Sequence, residues 1–250
     1  MDRVALITGA TSAIGAATAH LFSKTGYAVA LVARRLPLLE ALAHEIEAEG
    51  GLALAIEADV TQSVAMEEMV KKTVQTFGGL DIAFNNAGGG ARPTPLADLS
   101  PEVFSEAVSV NLTGTFLSMR SQLKAMLARG GGSIVNMSST AGLQGVAGLA
   151  PYCAGKHAII GLSKAAALDY ADKNIRINVV APGPIATERT DSEQRNRIGR
   201  YIPVQRVGEP SEVAELVRWL CSSDARFITG VVVPIDGGRL AGTPSFVVGS

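Results

Sequence analysis

Residues 4–15 read Val4-Ala5-Leu6-Ile7-Thr8-Gly9-Ala10-Thr11-Ser12-Ala13-Ile14-Gly15. A short apolar run ends in a glycine turn and passes into a helical pattern over about 14–25, closed by Gly26. This is how a parallel α/β sheet opens. Gly9 permits a tight turn, and Gly15 permits close packing of helix on strand. Unpaired N–H groups at the helix start, with the helix dipole behind them, suit a pyrophosphate. Taken alone, such a segment is equally an ordinary strand-to-helix turn, so its meaning depends on the rest of the chain.

The same alternation continues outward from this unit. Apolar runs at 27–33, 52–57, 81–85, 133–137, 175–181 and 231–235 read as strands. Helical patterns occupy 37–49, 63–77, 101–128, 152–171 and 211–221, with 101–128 expected as one long helix. The strand over 27–33 is apolar throughout rather than alternating, as expected for a parallel sheet covered on both faces. Strands alternating with long helices imply right-handed βαβ units. No Pro/Ser-rich linker interrupts the 250 residues, so the chain reads as one α/β domain over 1–250, doubly wound, with about seven parallel strands. Ligands of such sheets bind beyond the carboxyl ends of the strands.

Composition excludes several classes. Lys plus Arg number 22 and Asp plus Glu 23, so the net charge of −1 leaves no excess for nucleic-acid phosphates. A 47% hydrophobic share excludes a disordered chain. The longest uncharged stretch, between Arg129 and Lys156, is rich in Gly, Ser, Asn and Gln and does not read as a membrane span. The N-terminus shows no signal-peptide pattern, and Cys153 and Cys221 read as reduced thiols, so a cytoplasmic location is expected. His20, His44 and His157 lack metal-ligand spacing, and no metal is expected.

Two segments carry chemistry. The strand over 27–33 ends at Ala33 and is followed by Arg34-Arg35, where an acidic residue would favour NAD. A guanidinium instead matches a ribose 2′-phosphate, so NADP(H) is expected over NAD(H). Tyr152 and Lys156 lie four apart on a helix and face one way. A neighbouring ammonium lowers a phenol's pKa, which would let Tyr152 exchange a proton with a carbonyl or alcohol oxygen near neutral pH.

Together these segments resemble the classical short-chain dehydrogenases/reductases, whose fold is a Rossmann-type domain. The likeness spans essentially the whole chain and rests on the Thr8–Gly15 turn, Asn85-Asn86-Ala87-Gly88, Val110-Asn111-Leu112-Thr113-Gly114, Ser138-Ser139, Tyr152-Cys153-Ala154-Gly155-Lys156, Pro182-Gly183-Pro184-Ile185-Ala186-Thr187 and Val233-Pro234-Ile235-Asp236-Gly237-Gly238. Ala13 departs from the pattern, standing where the family usually has the middle glycine of its turn.

The resemblance implies a catalytic set of Asn111, Ser139, Tyr152 and Lys156. Ser139, 13 residues before Tyr152, would hold the substrate oxygen, with Ser138 turned elsewhere; Asn111 would hold a water in a proton relay through Lys156. It implies a cofactor site of Gly9, Thr11, Ser12, Ile14, Arg34, Arg35, Asp59, Val60, Asn86, Ala87, Gly88, Tyr152, Lys156, Pro182, Gly183, Ile185 and Thr187. Arg34 is the first choice for the 2′-phosphate and Arg35 the second. Asp59 would contact the adenine amino group, or cap the next helix. Residues of about 187–206 would form a substrate lid, in which Arg195, Arg197 or Arg200 could attract an anion or simply be solvated. Residues 90–94 and 141–146, Gln144 in particular, would wall the substrate pocket.

The expected activity is hydride transfer between NADP(H) and a carbonyl or secondary alcohol, as a carbonyl reductase/alcohol dehydrogenase; a carrier-linked 3-oxoacyl reductase is one version. An NAD-linked sugar or alcohol dehydrogenase and a non-catalytic dinucleotide sensor are the alternatives. The expected partners are a small-molecule carbonyl or alcohol substrate and, by resemblance, copies of the chain in a homotetramer, with no nucleic acid and no membrane. The long helices and the apolar tail 244–248 are the expected contacts between subunits.

Overall fold

The computed structural model describes residues 3–90, 92–187 and 190–242. Seven strands form one sheet: β1 (Arg3–Thr8), β2 (Tyr27–Ala33), β3 (Ala53–Glu57), β4 (Ile82–Asn85), β5 (Gly132–Met137), β6 (Ile175–Pro182) and β7 (Val232–Ile235). Their order is β3-β2-β1-β4-β5-β6-β7, and every pairing is parallel. The order reverses between β1 and β4. This is the switch point at which a doubly wound sheet opens a crevice.

Helices cover both faces. Successive residues of a strand point to opposite faces, so a central strand presents apolar side chains to both core layers. Val4 and Leu6 of β1 enter one core layer with Met66, Met69, Met119 and Met126, while Ala5 and Ile7 enter the other with Phe22, Leu39, Ile46 and Val217. The first layer is covered by α3 (Ser63–Phe77), α5 (Gly114–Arg129) and α6 (Ala150–Tyr170). The second is covered by α1 (Ala13–Lys24), α2 (Leu36–Ala48) and α8 (Pro210–Cys221). Burying one such Leu or Ile contributes roughly 2 kcal/mol.

Most boundaries fall within one or two residues of the sequence reading, but 101–128 is not a single α-helix. It divides into α4 (Pro101–Val108), a π-helical turn at Ser109–Thr113, and α5. The Asn111 side chain causes the break. Its Nδ2 donates to the Ala107 carbonyl, the group that the Asn111 backbone N–H would engage in a regular α-helix. A further helix, α7 (Ser192–Gly199), stands in the charged segment after β6, with Asp191 as its N-cap accepting from the Gln194 N–H. The tail 244–248, together with Glu188 and Arg189, lies outside the described residues.

Candidate active site

A groove of about 880 Å³ opens over the switch point. Its floor is the turn after β1. Gly9 has φ +66°, and a Cβ there would lie 2.8 Å from Asn86 Nδ2 and 2.9 Å from Ala87 Cα. At Gly15 a Cβ would strike the Gly9 carbonyl oxygen. Ser12 caps α1, its Oγ accepting from the Gly15 N–H at 3.1 Å and donating to the Gly9 carbonyl at 2.9 Å. Asn86 binds this turn to the end of β4, donating to Thr8 O, Gly9 O and Ser12 Oγ at 2.9–3.1 Å. Ala13 is the first residue of α1 and lies outside the left-handed region, so an alanine fits the backbone without strain.

The groove is walled by Gly9, Thr11, Ser12, Ala13, Arg34, Arg35, Asp59, Val60, Ala87, Gly88 and Thr187, together with Val32, Ala33, Ala58 and Val110. Sequence reasoning did not single out these last four. Arg35 donates to Thr11 Oγ1 at 3.2 Å, whereas Arg34 has no hydrogen-bond or ion-pair partner among the described residues. Asp59 does not cap α3, because Gln62 occupies that position; one Asp59 oxygen instead accepts from the Thr61 N–H and Oγ1 at 2.9 Å. Ile14, Asn86, Pro182, Gly183, Ile185, Tyr152 and Lys156 do not form its wall. Asn86 supports the floor from behind, and Gly183 is held by its N–H to the Ile235 carbonyl at 3.0 Å.

At the carboxyl end of β5, three consecutive residues grip α6. Asn136 Nδ2 donates to Ser163 Oγ at 2.8 Å, the Met137 carbonyl accepts from Lys156 Nζ at 2.9 Å, and Ser138 Oγ donates to the Lys156 carbonyl at 2.8 Å. Ser138 therefore points into the seam. Ser139, the next residue, lies beside Tyr152, and its Oγ accepts from the Ala141 N–H at 3.1 Å. Lys156 Nζ stands 5.6 Å from the centre of the Tyr152 ring. Burial pushes the Lys156 ammonium down to about 8.

The expected lowering of the Tyr152 pKa by Lys156 is not what the structure shows. Burial raises the phenol above its ordinary value, and the neighbouring Ser139 hydroxyl opposes that rise only in part. Asn111 reaches the same place from the π turn. Its Oδ1 accepts from the Gly89 N–H at 3.3 Å and its Nδ2 donates to the Gly89 carbonyl at 3.0 Å. A Cβ on Gly88 would meet Asn111 Oδ1 at 2.8 Å and Lys156 Nζ at 3.1 Å. Asn111 and Lys156 thus converge on the glycine loop after β4.

Of the expected pocket walls, Ala141 and Gly142 are buried beneath the site rather than lining it; a Cβ on Gly142 would strike Ser138 Oγ. The loops after β4 and β5 are joined by Thr94 N–H to the Gly148 carbonyl at 2.9 Å. Sequence reasoning also passed over a buried amide network. Asn85 Nδ2 donates to Gln122 Oε1 and Asn136 Oδ1 at 2.9 Å, and Gln122 Nε2 donates back to Asn85 Oδ1 at 2.8 Å. The available signal was polar residues within apolar elements, since buried amides require partners. Among the described residues no cluster of three His, Cys, Asp or Glu could hold a metal, and no helix is long and apolar enough to cross a membrane.

This geometry outlines a candidate ligand site on a Rossmann-type sheet, and comparison with known proteins gives the family. A family model described as Enoyl-(Acyl carrier protein) reductase matches residues 9–239. The chain is 43% identical to the A-factor type gamma-butyrolactone 1′-reductase (1S-forming) of Streptomyces virginiae, over 95% of each chain. It is 43% identical to the cyclohexanol dehydrogenase of Acinetobacter sp. strain SE19, over 94% of each. Among solved structures, ElxO with NADP bound superposes with a TM-score of 0.92 at 35% identity, covering 97% of this chain and all of the other. The chain belongs to the short-chain dehydrogenase/reductase family and is an oxidoreductase of the kind that acts on alcohols and carbonyls.

Proposed function

We propose that the chain is an NADP(H)-dependent carbonyl reductase/alcohol dehydrogenase working on a small neutral ketone or secondary alcohol, preferably cyclic. The observation that carries the reading is the convergence of Ser139, Tyr152 and Lys156 beyond β5. The names of the relatives, which include a butyrolactone reductase and a cyclohexanol dehydrogenase, favour a ring. Arg34, which has no hydrogen-bond or ion-pair partner among the described residues, and Arg35 favour a 2′-phosphate at the end of β2.

The residues present fit the cofactor. Ser12, Thr11 and the start of α1 would hold its pyrophosphate, Asp59 and Val60 its adenine, and Thr187 its carboxamide. When bound, NADPH supplies the hydride. Ser139 then holds the substrate oxygen by its hydroxyl, and Tyr152 donates the proton to that oxygen. The raised pKa keeps Tyr152 a neutral phenol at pH 7, the form a reduction needs. Lys156, braced by the Met137 carbonyl, holds its charge behind the tyrosine, and Asn111 fixes the glycine loop beside it. The segment carrying α7 serves as the lid, and residues 1–250 act as one domain.

The exposed apolar side chains of Val103, Phe104 and Phe116 on α4 and α5 support association into the tetramer usual in the family. The test of the activity is Tyr152→Phe, assayed by NADPH oxidation with a panel of cyclic ketones. Turnover should fall by about 10²-fold or more while NADPH binding persists. Wild-type turnover in the variant would refute the mechanism.

A further inference from the structure

A second cleft, of about 400 Å³, lies between α7, the turn after it, the loop after β6 and the chain beyond β7. Its walls are apolar: Pro184, Ile198, Ile202 and the ring of Tyr201, which is 82% exposed. Arg197 and Arg239 complete the lining. Neighbouring arginines are already committed. Arg195 donates to the Thr190 and Thr187 carbonyls, and Arg206 makes two 2.7 Å bonds to Glu212. Arg197 and Arg239 have no hydrogen-bond or ion-pair partner among the described residues. Of the nearby carboxylates, Asp191 caps α7 and Asp236 accepts from the Gly238 and Leu240 N–H groups, while Glu193, one turn before Arg197 on α7, makes no ion pair with it among the described residues.

We infer that this cleft binds a small amphipathic carboxylate, its chain against Pro184, Ile198 and Ile202 and its head between Arg197 and Arg239. An apolar slot with two unpaired guanidiniums matches that chemistry and no neutral one. Pro184 belongs to the same loop as Thr187, which walls the large groove. A ligand bridging Arg197 of α7 and Arg239 beyond β7 would therefore hold α7 against that loop. The inference does not depend on the cofactor or on hydride transfer. Because the substrate proposed above is neutral, the carboxylate is a separate molecule; the tail of a keto acid is the other source, which the kinetics distinguish.

The experiment titrates octanoate and, as the neutral control, 1-octanol into the intact protein by calorimetry. Wild type should bind octanoate saturably. Arg197→Gln/Arg239→Gln should weaken it at least about tenfold without changing the response to octanol, and Arg197→Lys/Arg239→Lys should recover most of the affinity. Equal octanoate affinity in wild type and the glutamine variant, or no saturation by about 20 mM in wild type, would overturn the proposal. Kinetics identify the source. If KM rises in the glutamine variant for a keto acid but not for its methyl ester, the cleft takes the substrate's own tail. If both KM values stay fixed while octanoate binding falls, it takes a separate carboxylate. NADPH binding and turnover of a neutral ketone, measured on the same preparations, report on the proposed activity alone.

Discussion

Lys156 is buried, and its only hydrogen-bond acceptor among the described residues is the Met137 carbonyl. Its pKa falls from 10.5 to about 8, so the folded state binds that proton less tightly than the unfolded chain. The cost, about 3 kcal/mol, is present in full below pH 8 and disappears as pH rises towards 10.5. Lys156→Met should therefore melt above wild type at pH 7, with the difference closing by about pH 10, and should lose activity throughout. Arg34 is the complementary case, a charge at the surface of the groove with no ion-pair partner among the described residues. Arg34→Glu should reverse the cofactor preference, raising KM for NADPH by about tenfold or more while changing that for NADH little. An unchanged NADPH/NADH ratio would remove Arg34 from the phosphate site. Tyr152, Lys156 and Ser139 were legible as a set because their spacing follows from one strand end and one helix. The raised Tyr152 pKa was not, because burial depends on what covers the site.

At the scale of elements, the strands were easily read, since burial on both faces makes them short, mostly apolar runs between helices. The π turn at Ser109–Thr113 was not, because it arises from Asn111 choosing Ala107 and Gly89 as partners, and Gly89 is 22 residues away in sequence. α7 was equally hidden; its residues are nearly all polar and give no apolar period. The amide network at Asn85, Gln122, Asn136 and Ser163 ties β4, β5, α5 and α6 together. Asn136→Ala removes a donor and an acceptor from this buried set and should cost about 2–3 kcal/mol. Thermal denaturation should show a melting temperature lower by roughly 5–10 °C. A shift near zero would mean that the network adds no stability.

For the molecule as a whole, the near-zero net charge conceals a local asymmetry. Arg34 and Arg35 stand at one end of the large groove, and Arg197 and Arg239 at the second cleft. Attraction between exposed guanidiniums and a phosphate is screened by salt. Raising the salt from 0.05 to about 0.5 M should therefore weaken NADPH binding several-fold more than NADH binding, measured by cofactor fluorescence. Equal salt dependence would argue against a 2′-phosphate contact. The parallel sheet and the position of the groove beyond its strand ends followed from the alternation of elements; the strand order did not. The second cleft did not, because it joins segments from α7, the β6 loop and the chain after β7 that no local pattern links.

The grip of β5 on α6 through Asn136, Met137 and Ser138 has a practical consequence for redesign. Ser139 and Tyr152 are mounted on a rigid chassis, whereas the loop stretches 92–99, 143–149 and 190–206, beyond Asn86–Gly89 and Ser139, are attached at its margin. Transplanting those loops from a relative should therefore exchange substrate preference while leaving the proton-transfer machinery in register, which makes the chain a suitable recipient for modular engineering.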